Sequence, residues 1–239
     1  MVNNIEIITF CLMIVSLAAL NTVGCLELSP VIRVLVKTLT SIMFLLTGFA
    51  SARKGKEKLS AYKKLVLTGL FLGLAGDVLL GLNFISTAFF VAGLIAFALG
   101  HVFYVIAFTR KSPKLEVINF IPMLIIMPSF FLLVFITKKF EFEGLFPCIV
   151  FYGLLLTFMQ GKAFSLLKFK DKATTFVRLT LAGVTLFAIS DIILLFILFM
   201  QIPLDVKKVL EVFNLVTYYV GQGFIALSLT SEKLAERGM

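Results

Sequence analysis

The chain has 239 residues, of which 60% are hydrophobic and only 15% charged, with a formal net charge of +9. A soluble domain is nearer half apolar and about a quarter charged, so a water-soluble globular enzyme is excluded. Apolar runs of about twenty residues recur along the whole length, too continuous for the ~10-residue alternating strands of a membrane barrel. Only helices and closed barrels satisfy their backbones in lipid, so an all-α integral membrane bundle remains.

Eight spans are predicted in chain order, at 5–25, 31–50, 64–82, 86–108, 116–137, 145–165, 176–200 and 208–229. The first has no Lys or Arg ahead of its apolar run and carries Glu6. A cleaved signal peptide would start basic, so this segment is read as a retained span. The second span holds Lys37, with Arg33 one turn before it. The third contains GLFLGLAGDVLLGL (69–82), in which Asp77 alone is neither apolar nor Gly. The fourth brings His101 and Tyr104, and the sixth Tyr152. The seventh brings Asp191, and the eighth Tyr218, Tyr219 and Gln222. The connections are short, which predicts one transmembrane domain over residues 1–239.

Basic residues divide unequally between the two sets of connections. One side holds Arg53, Lys54, Lys56, Lys58, Lys63, Lys64, Arg110, Lys111, Lys114, Lys168, Lys170, Lys172, Lys233 and Arg237. The other holds Arg33, Lys138, Lys139, Lys207 and Lys208. Cytoplasmic loops carry the excess of Lys and Arg, so both termini are expected in the cytoplasm. The charge therefore sets topology and does not indicate a nucleic-acid partner. No organelle signal is evident, which points to a bacterial inner membrane. Cys11, Cys25 and Cys148 lie in or near separate runs without metal-ligand or redox spacing, and are read as small core residues. Of the five tyrosines only Tyr62 falls at a predicted interface; a hydroxyl buried in a span wants a partner.

AGDVLLGLNF (75–84) and ISDIILLFIL (189–198) share Asp at the third place, and shifting Tyr104 by the same 114 residues lands on Tyr218. An offset of four spans predicts two four-helix halves in the same orientation. Gly69, Gly73, Gly76, Gly93 and Gly100 are read as close helix packing.

Each intramembrane Asp or Lys costs about 2.5–3.5 kcal/mol to insert, so such residues face a bundle interior or a wet cavity. At a rise of about 1.5 Å per residue, Lys37, Asp77, Tyr152 and Asp191 share a level in the outer half of the membrane. His101, Tyr104 and Gln222 fall nearer the cytoplasm. If the two Asp meet, they cannot both ionise cheaply, and the pair keeps one proton. With Lys37 beside them they form an acid and a base suited to activating water. Structural roles compete: Lys37 could snorkel, His101 could bond a carbonyl, and only one of the adjacent Tyr218 and Tyr219 is expected to line a site. A single His without a ligand cluster implies no metal, and no cofactor is implied.

Lys37-Thr-Leu, GDVLL (76–80), FVAGLIAFALGHVFYVIAF (90–108), FYGLLLTFMQGKAF (151–164), FAISDIILLF (187–196) and YYVGQGFI (218–225) resemble the YhhN family of lysoplasmalogenases. The resemblance implies an eight-span hydrolase that cleaves the vinyl-ether bond of lysoplasmalogens. The products are a fatty aldehyde and a glycerophospho-base, glycerophosphoethanolamine or glycerophosphocholine. Its partners would be the lysophospholipid substrate and membrane lipids. The family's polar positions fall on Lys37, Asp77, His101, Tyr104, Asp191, Tyr219 and Gln222. Where the family commonly has Lys-Pro, this chain has Lys37-Thr38. The chemistry fits two Asp residues, one to protonate the vinyl β-carbon and one to face the oxocarbenium ion and deprotonate water. Lys37 or Arg33 would bind the phosphate. The competing reading is a proton-coupled transporter or lipid carrier built on the same Asp, Lys and His residues.

Overall fold

A computed structural model of the chain describes residues 4–54, 58–142, 144–169 and 174–232. Lys56, Lys170, Lys172, Lys233 and Arg237, counted above among the basic residues, lie outside the described residues. The described chain is eight helices: α1 (Ile5–Cys25), α2 (Pro30–Arg53), α3 (Ala61–Gly81), α4 (Thr87–Lys111), α5 (Ile121–Thr137), α6 (Phe146–Phe164), α7 (Thr174–Phe199) and α8 (Leu204–Ser228). Each predicted span corresponds to one helix. With short 3-10 turns included at the ends of α3, α5 and α6, all eight are long and apolar enough to cross a membrane.

Helix starts follow local chemistry. Ser29 accepts from the Ile32 amide, with Pro30 at the first turn of α2, and Ser60 accepts from the Lys63 amide at the start of α3. Both satisfy backbone donors that have no partner inside the helix. The left-handed Glu27 (φ 52) turns the chain between α1 and α2. α2 runs unbroken through Thr38.

The two ends of the bundle are held by different polar contacts. At the termini end, Glu6 pairs with Lys54, Lys63 Nζ donates to the Ala52 carbonyl at 3.1 Å and Lys111 meets Glu232 at 2.5 Å. Lys162 Nζ donates there to the Ser112 carbonyl at 2.6 Å. At the opposite end, Glu27 pairs with Lys208, and Arg33 with Glu211 at 2.8 Å. A single antiparallel bridge there joins Phe140 to Met200.

The packing carries the repeat seen in the sequence. α3 lies closest against α4, and α7 against α8. Two of the tight spots are glycines 114 residues apart: a Cβ on Gly69 would stand 2.5 Å from the Tyr104 ring, and one on Gly183 would stand 2.7 Å from the Gly221 carbonyl. A Cβ on Gly221 would likewise meet the Gly183 carbonyl at 2.8 Å and the Phe187 amide at 2.9 Å. Backbone cannot step aside as a side chain can, so Gly221→Ala is expected to push α8 off α7. It should destabilise the protein by about 1–3 kcal/mol, the usual cost of overpacking. Gly24→Ala, with nothing within 4 Å of the added methyl, is the control and should not lower the midpoint. Thermal unfolding of both variants in detergent measures the difference.

One reading is corrected. Cys11, Cys25 and Cys148 are exposed on the outside of the bundle and are not core residues. A thiol is apolar enough to face lipid, so position in an apolar run did not tell inside from outside. Tyr62 is buried, packed against Phe108 and Phe176 with Lys111 over its ring. The outer surface is itself apolar, to the point that Phe135 on α5 is 76% exposed.

Candidate functional site

The predicted polar residues gather into two centres and a link. The first centre is on Asp77, four residues from the end of α3 and 2% exposed. Lys37 Nζ, from α2, lies 3.1 Å from its Oδ1. Ser41, one turn further along α2, donates to Oδ2 at 2.7 Å, and Tyr218 of α8 donates to the same oxygen at 2.8 Å. Tyr219 reaches the centre too, 3.1 Å from Ser41 Oγ and donating to the Lys37 carbonyl at 3.2 Å. The expectation that only one of the two tyrosines enters the site is therefore corrected. α8 packs against both α2 and α3, so two of its faces are interior. Lys37 pairs inward and does not snorkel. A carboxylate with three donors, one of them cationic, is fully satisfied as an anion.

The second centre is on Asp191 of α7. Tyr152 of α6 donates to its Oδ2 at 2.9 Å. His101 of α4 places Nε2 3.2 Å from the same oxygen, with the imidazole 1% and the carboxyl side chain 7% exposed. His101 Nδ1 lies 2.6 Å from the Phe97 carbonyl. A carbonyl only accepts, so Nδ1 carries the hydrogen. Nε2 and the carboxylate oxygen would then face each other with lone pairs alone, unless one more proton sits on one of them. The approach is off-axis for a hydrogen bond, since Nε2 lacks an aligned partner. The two buried groups therefore lie in contact 3.2 Å apart without an aligned hydrogen bond between them. The depth estimate had placed His101 nearer the cytoplasm than Asp191. The 3.2 Å approach corrects that expectation, since counting residues from assumed span ends does not fix the offset of one helix against another.

The link joins Tyr104 and Gln222, the former donating to Gln222 Oε1 at 2.8 Å. Gln222 Nε2 is buried with no partner among the described residues. A Cβ on Gly73 would crowd that nitrogen at 3.1 Å and the Tyr218 hydroxyl at 3.3 Å, which explains the glycine there.

Asp77 and Asp191 do not form the proton-sharing dyad expected from sequence. No hydrogen bond or ion pair among the described residues joins them; each has its own partners. Rings connect the two centres instead, His101 to Phe187 at 4.9 Å and Phe187 to Tyr218 at 5.5 Å. The repeat gives the reason. Asp77 on α3 is held from α2 and α8, and Asp191 on α7 is held from α6 and α4, the helices four places on. The two carboxylates are equivalent positions of two halves, each satisfied within its own surroundings. The halves differ in charge, because the position 114 after Lys37 is Phe151.

Two cavities flank α7. One, about 290 Å³, is lined by α5, α6 and α7, with Tyr152, Asp191, Ser129 and Thr157 its only polar side chains. Ile125 both lines it and is 61% exposed on the bundle surface, so it opens sideways past α5. The other, about 560 Å³, lies on the opposite side of α7 and is lined by Glu27, Arg33, Lys37, Asn83, Glu211 and Asn214 among apolar side chains. Ser41, Asn214 and Glu211 escaped the sequence reading. Ser41 was within reach of it, since it lies four residues from Lys37 on the same helix face. Asn214, which donates to the Ser190 carbonyl at 2.8 Å, carried no comparable signal. Among the described residues no three His, Cys, Asp or Glu side chains gather as a metal site.

The family model described as YhhN family matches residues 32–229, from the start of α2 to the end of α8. No curated protein and no solved structure matches the chain.

Proposed function

The chain belongs to the YhhN family, and on that premise we propose that it is a membrane hydrolase of the vinyl-ether bond of lysoplasmalogens, with the His101–Asp191 pair as its proton donor. The observation that carries this reading is the buried carboxyl of Asp191, with His101 Nε2 3.2 Å from its Oδ2, at the wall of an apolar cavity open to lipid. The alkenyl chain lies in that cavity with its double bond against Asp191. The proton moves to the vinyl β-carbon, where a C–H bond forms as the π bond breaks and an oxocarbenium ion results. The carboxylate left behind faces that cation and stabilises it. Water adds to the oxygen-bearing carbon and returns a proton to Asp191. The hemiacetal then collapses, releasing fatty aldehyde and the glycerol hydroxyl of the glycerophospho-base. Tyr152 holds Oδ2 in place. Asp77 anchors Lys37 and shapes the field, without contact with the reacting atoms.

A second reading has its own support. Two titratable centres, in helices that line separate cavities on either side of α7 and joined by Tyr218, Phe187 and His101, are also the layout of a proton-coupled carrier. One pair of assays separates the two. Purified protein supplied with lysoplasmalogen should release aldehyde in proportion to enzyme. Proteoliposomes that carry lysolipid or protons across the bilayer with no aldehyde formed would replace the hydrolase reading with the carrier.

A further inference from the structure

α7 packs most closely on α8, so α8 is the platform that decides where Asp191 stands. Two contacts fix this packing. One is the backbone approach of Gly183 to Gly221. The other is polar: Asn214 Nδ2 donates to the Ser190 carbonyl at 2.8 Å and to Ser190 Oγ at 3.0 Å. Ser190 lies seven residues after Gly183, and Asn214 seven before Gly221, so both contacts share one face of each helix, two turns apart. Ser190 is 2% exposed and immediately precedes Asp191. The first half of the repeat has no such clamp, since the positions 114 residues earlier are Gly76 and Gly100. Asp77 is held directly by Lys37, Ser41 and Tyr218. Among the described residues Asp191 accepts one aligned hydrogen bond, from Tyr152, and His101 Nε2 stands 3.2 Å away without one. A carboxyl so lightly held takes its place from the backbone that carries it.

We propose that Asn214 is a positioning residue: through its two bonds to Ser190 it sets the rotation of α7 that places Asp191 against His101 and Tyr152. An amide suits the task, because its two N–H groups reach two oxygens of one residue and so fix an angle as well as a distance. Successive residues on a helix point about 100° apart, so a turn of α7 about its axis swings the Asp191 carboxyl sideways, away from partners on α4 and α6. Asn214 lines the larger cavity and not the smaller one, so it acts on a molecule bound beside Asp191 only through α7. The effect on rate rests on the hydrolase reading; the effect on the geometry of Asp191 and His101 does not.

His101 is the only histidine in the chain, so ¹⁵N-histidine labelling of the purified full chain in detergent gives one imidazole, whose resonances read its contact with Asp191. Asn214→Leu keeps the bulk, removes both donors and should move those resonances. Ser190→Ala removes only the 3.0 Å bond and should move them less. Lys54→Met strands the buried Glu6 at the termini end; it is the control for a general loss of stability and should leave them in place. Gel filtration checks the fold of each variant. With lysoplasmalogen as substrate, Asn214→Leu should lower kcat about 10–10²-fold at unchanged KM, the scale of a displacement of about 1 Å at a catalytic group. Unmoved His101 resonances in Asn214→Leu overturn the proposal; where that variant fails to fold, unmoved resonances in Ser190→Ala do so. An equal displacement in Lys54→Met overturns it as well. Moved resonances in a protein that releases no aldehyde uphold the clamp and remove the hydrolase reading. Moved resonances with kcat unchanged uphold the clamp and count against Asp191 as the acid. Aldehyde release with unmoved resonances keeps the hydrolase and removes the clamp.

Discussion

Asp191→Asn lowers the rate of aldehyde release by about 10²–10⁴-fold, the span that a positioned general acid contributes. The amide is nearly isosteric and still accepts from Tyr152, and its NH₂ can donate to His101 Nε2, so packing is conserved. What the variant lacks is an ionisable oxygen to take part in holding the proton. The loss should appear in kcat at unchanged protein yield and helicity. His101→Asn should fall in the same range, because the imidazole is the buried neighbour of the Asp191 carboxyl, 3.2 Å from its Oδ2. Solvent isotope substitution supplies an independent readout: transfer to carbon limits vinyl-ether cleavage, so the wild type should slow in D₂O. Undiminished turnover by Asp191→Asn would remove that residue from the chemistry, and with it the assignment of the smaller cavity.

The second large effect is on stability. Lys37→Met leaves the Asp77 carboxylate buried with only Ser41 and Tyr218 as neutral donors. Removing one partner of a buried ion pair costs about 3–5 kcal/mol, and the lower end is expected because Lys37 is 20% exposed. Asp77→Asn alone should cost less, since the freed ammonium can turn to the larger cavity. The double variant Lys37→Met with Asp77→Asn should recover most of the loss, because no buried charge then stands alone. Unfolding midpoints of the four proteins in detergent give the coupling directly. Additive losses would show that the ion pair at 3.1 Å contributes nothing to the fold.

Several site contacts follow from rules that act along one helix. His101 on the Phe97 carbonyl and Ser41 beside Lys37 are both four residues apart, the spacing that stacks side chains on one helical face. Each tyrosine within a span does find a hydroxyl partner: Tyr104 on Gln222, Tyr152 on Asp191, Tyr218 on Asp77 and Tyr219 on the Lys37 carbonyl. Which partner each takes is a matter of helix neighbours. The predicted pairing of Asp77 with Asp191 failed because depth along the membrane says nothing about azimuth around the bundle, and the repeat turns the two carboxylates toward different helices.

From residue order alone came the eight spans, the faint doubling of the chain and the polar residues of the two centres other than Ser41. Those are legible because lipid penalises each unsatisfied backbone group and each stranded charge, so long apolar runs and rare polar residues stand out one residue at a time. Tertiary structure alone decided that the polar residues form two centres, that His101 and not Asp77 lies against Asp191, that two cavities lie on opposite sides of α7, and that the cysteines face outward. In a membrane both the core and the outer surface are apolar, so hydropathy cannot say which way a helix face turns. That choice is made by the close approach of helices at glycines such as Gly69 and Gly183, which act only between segments far apart in the chain.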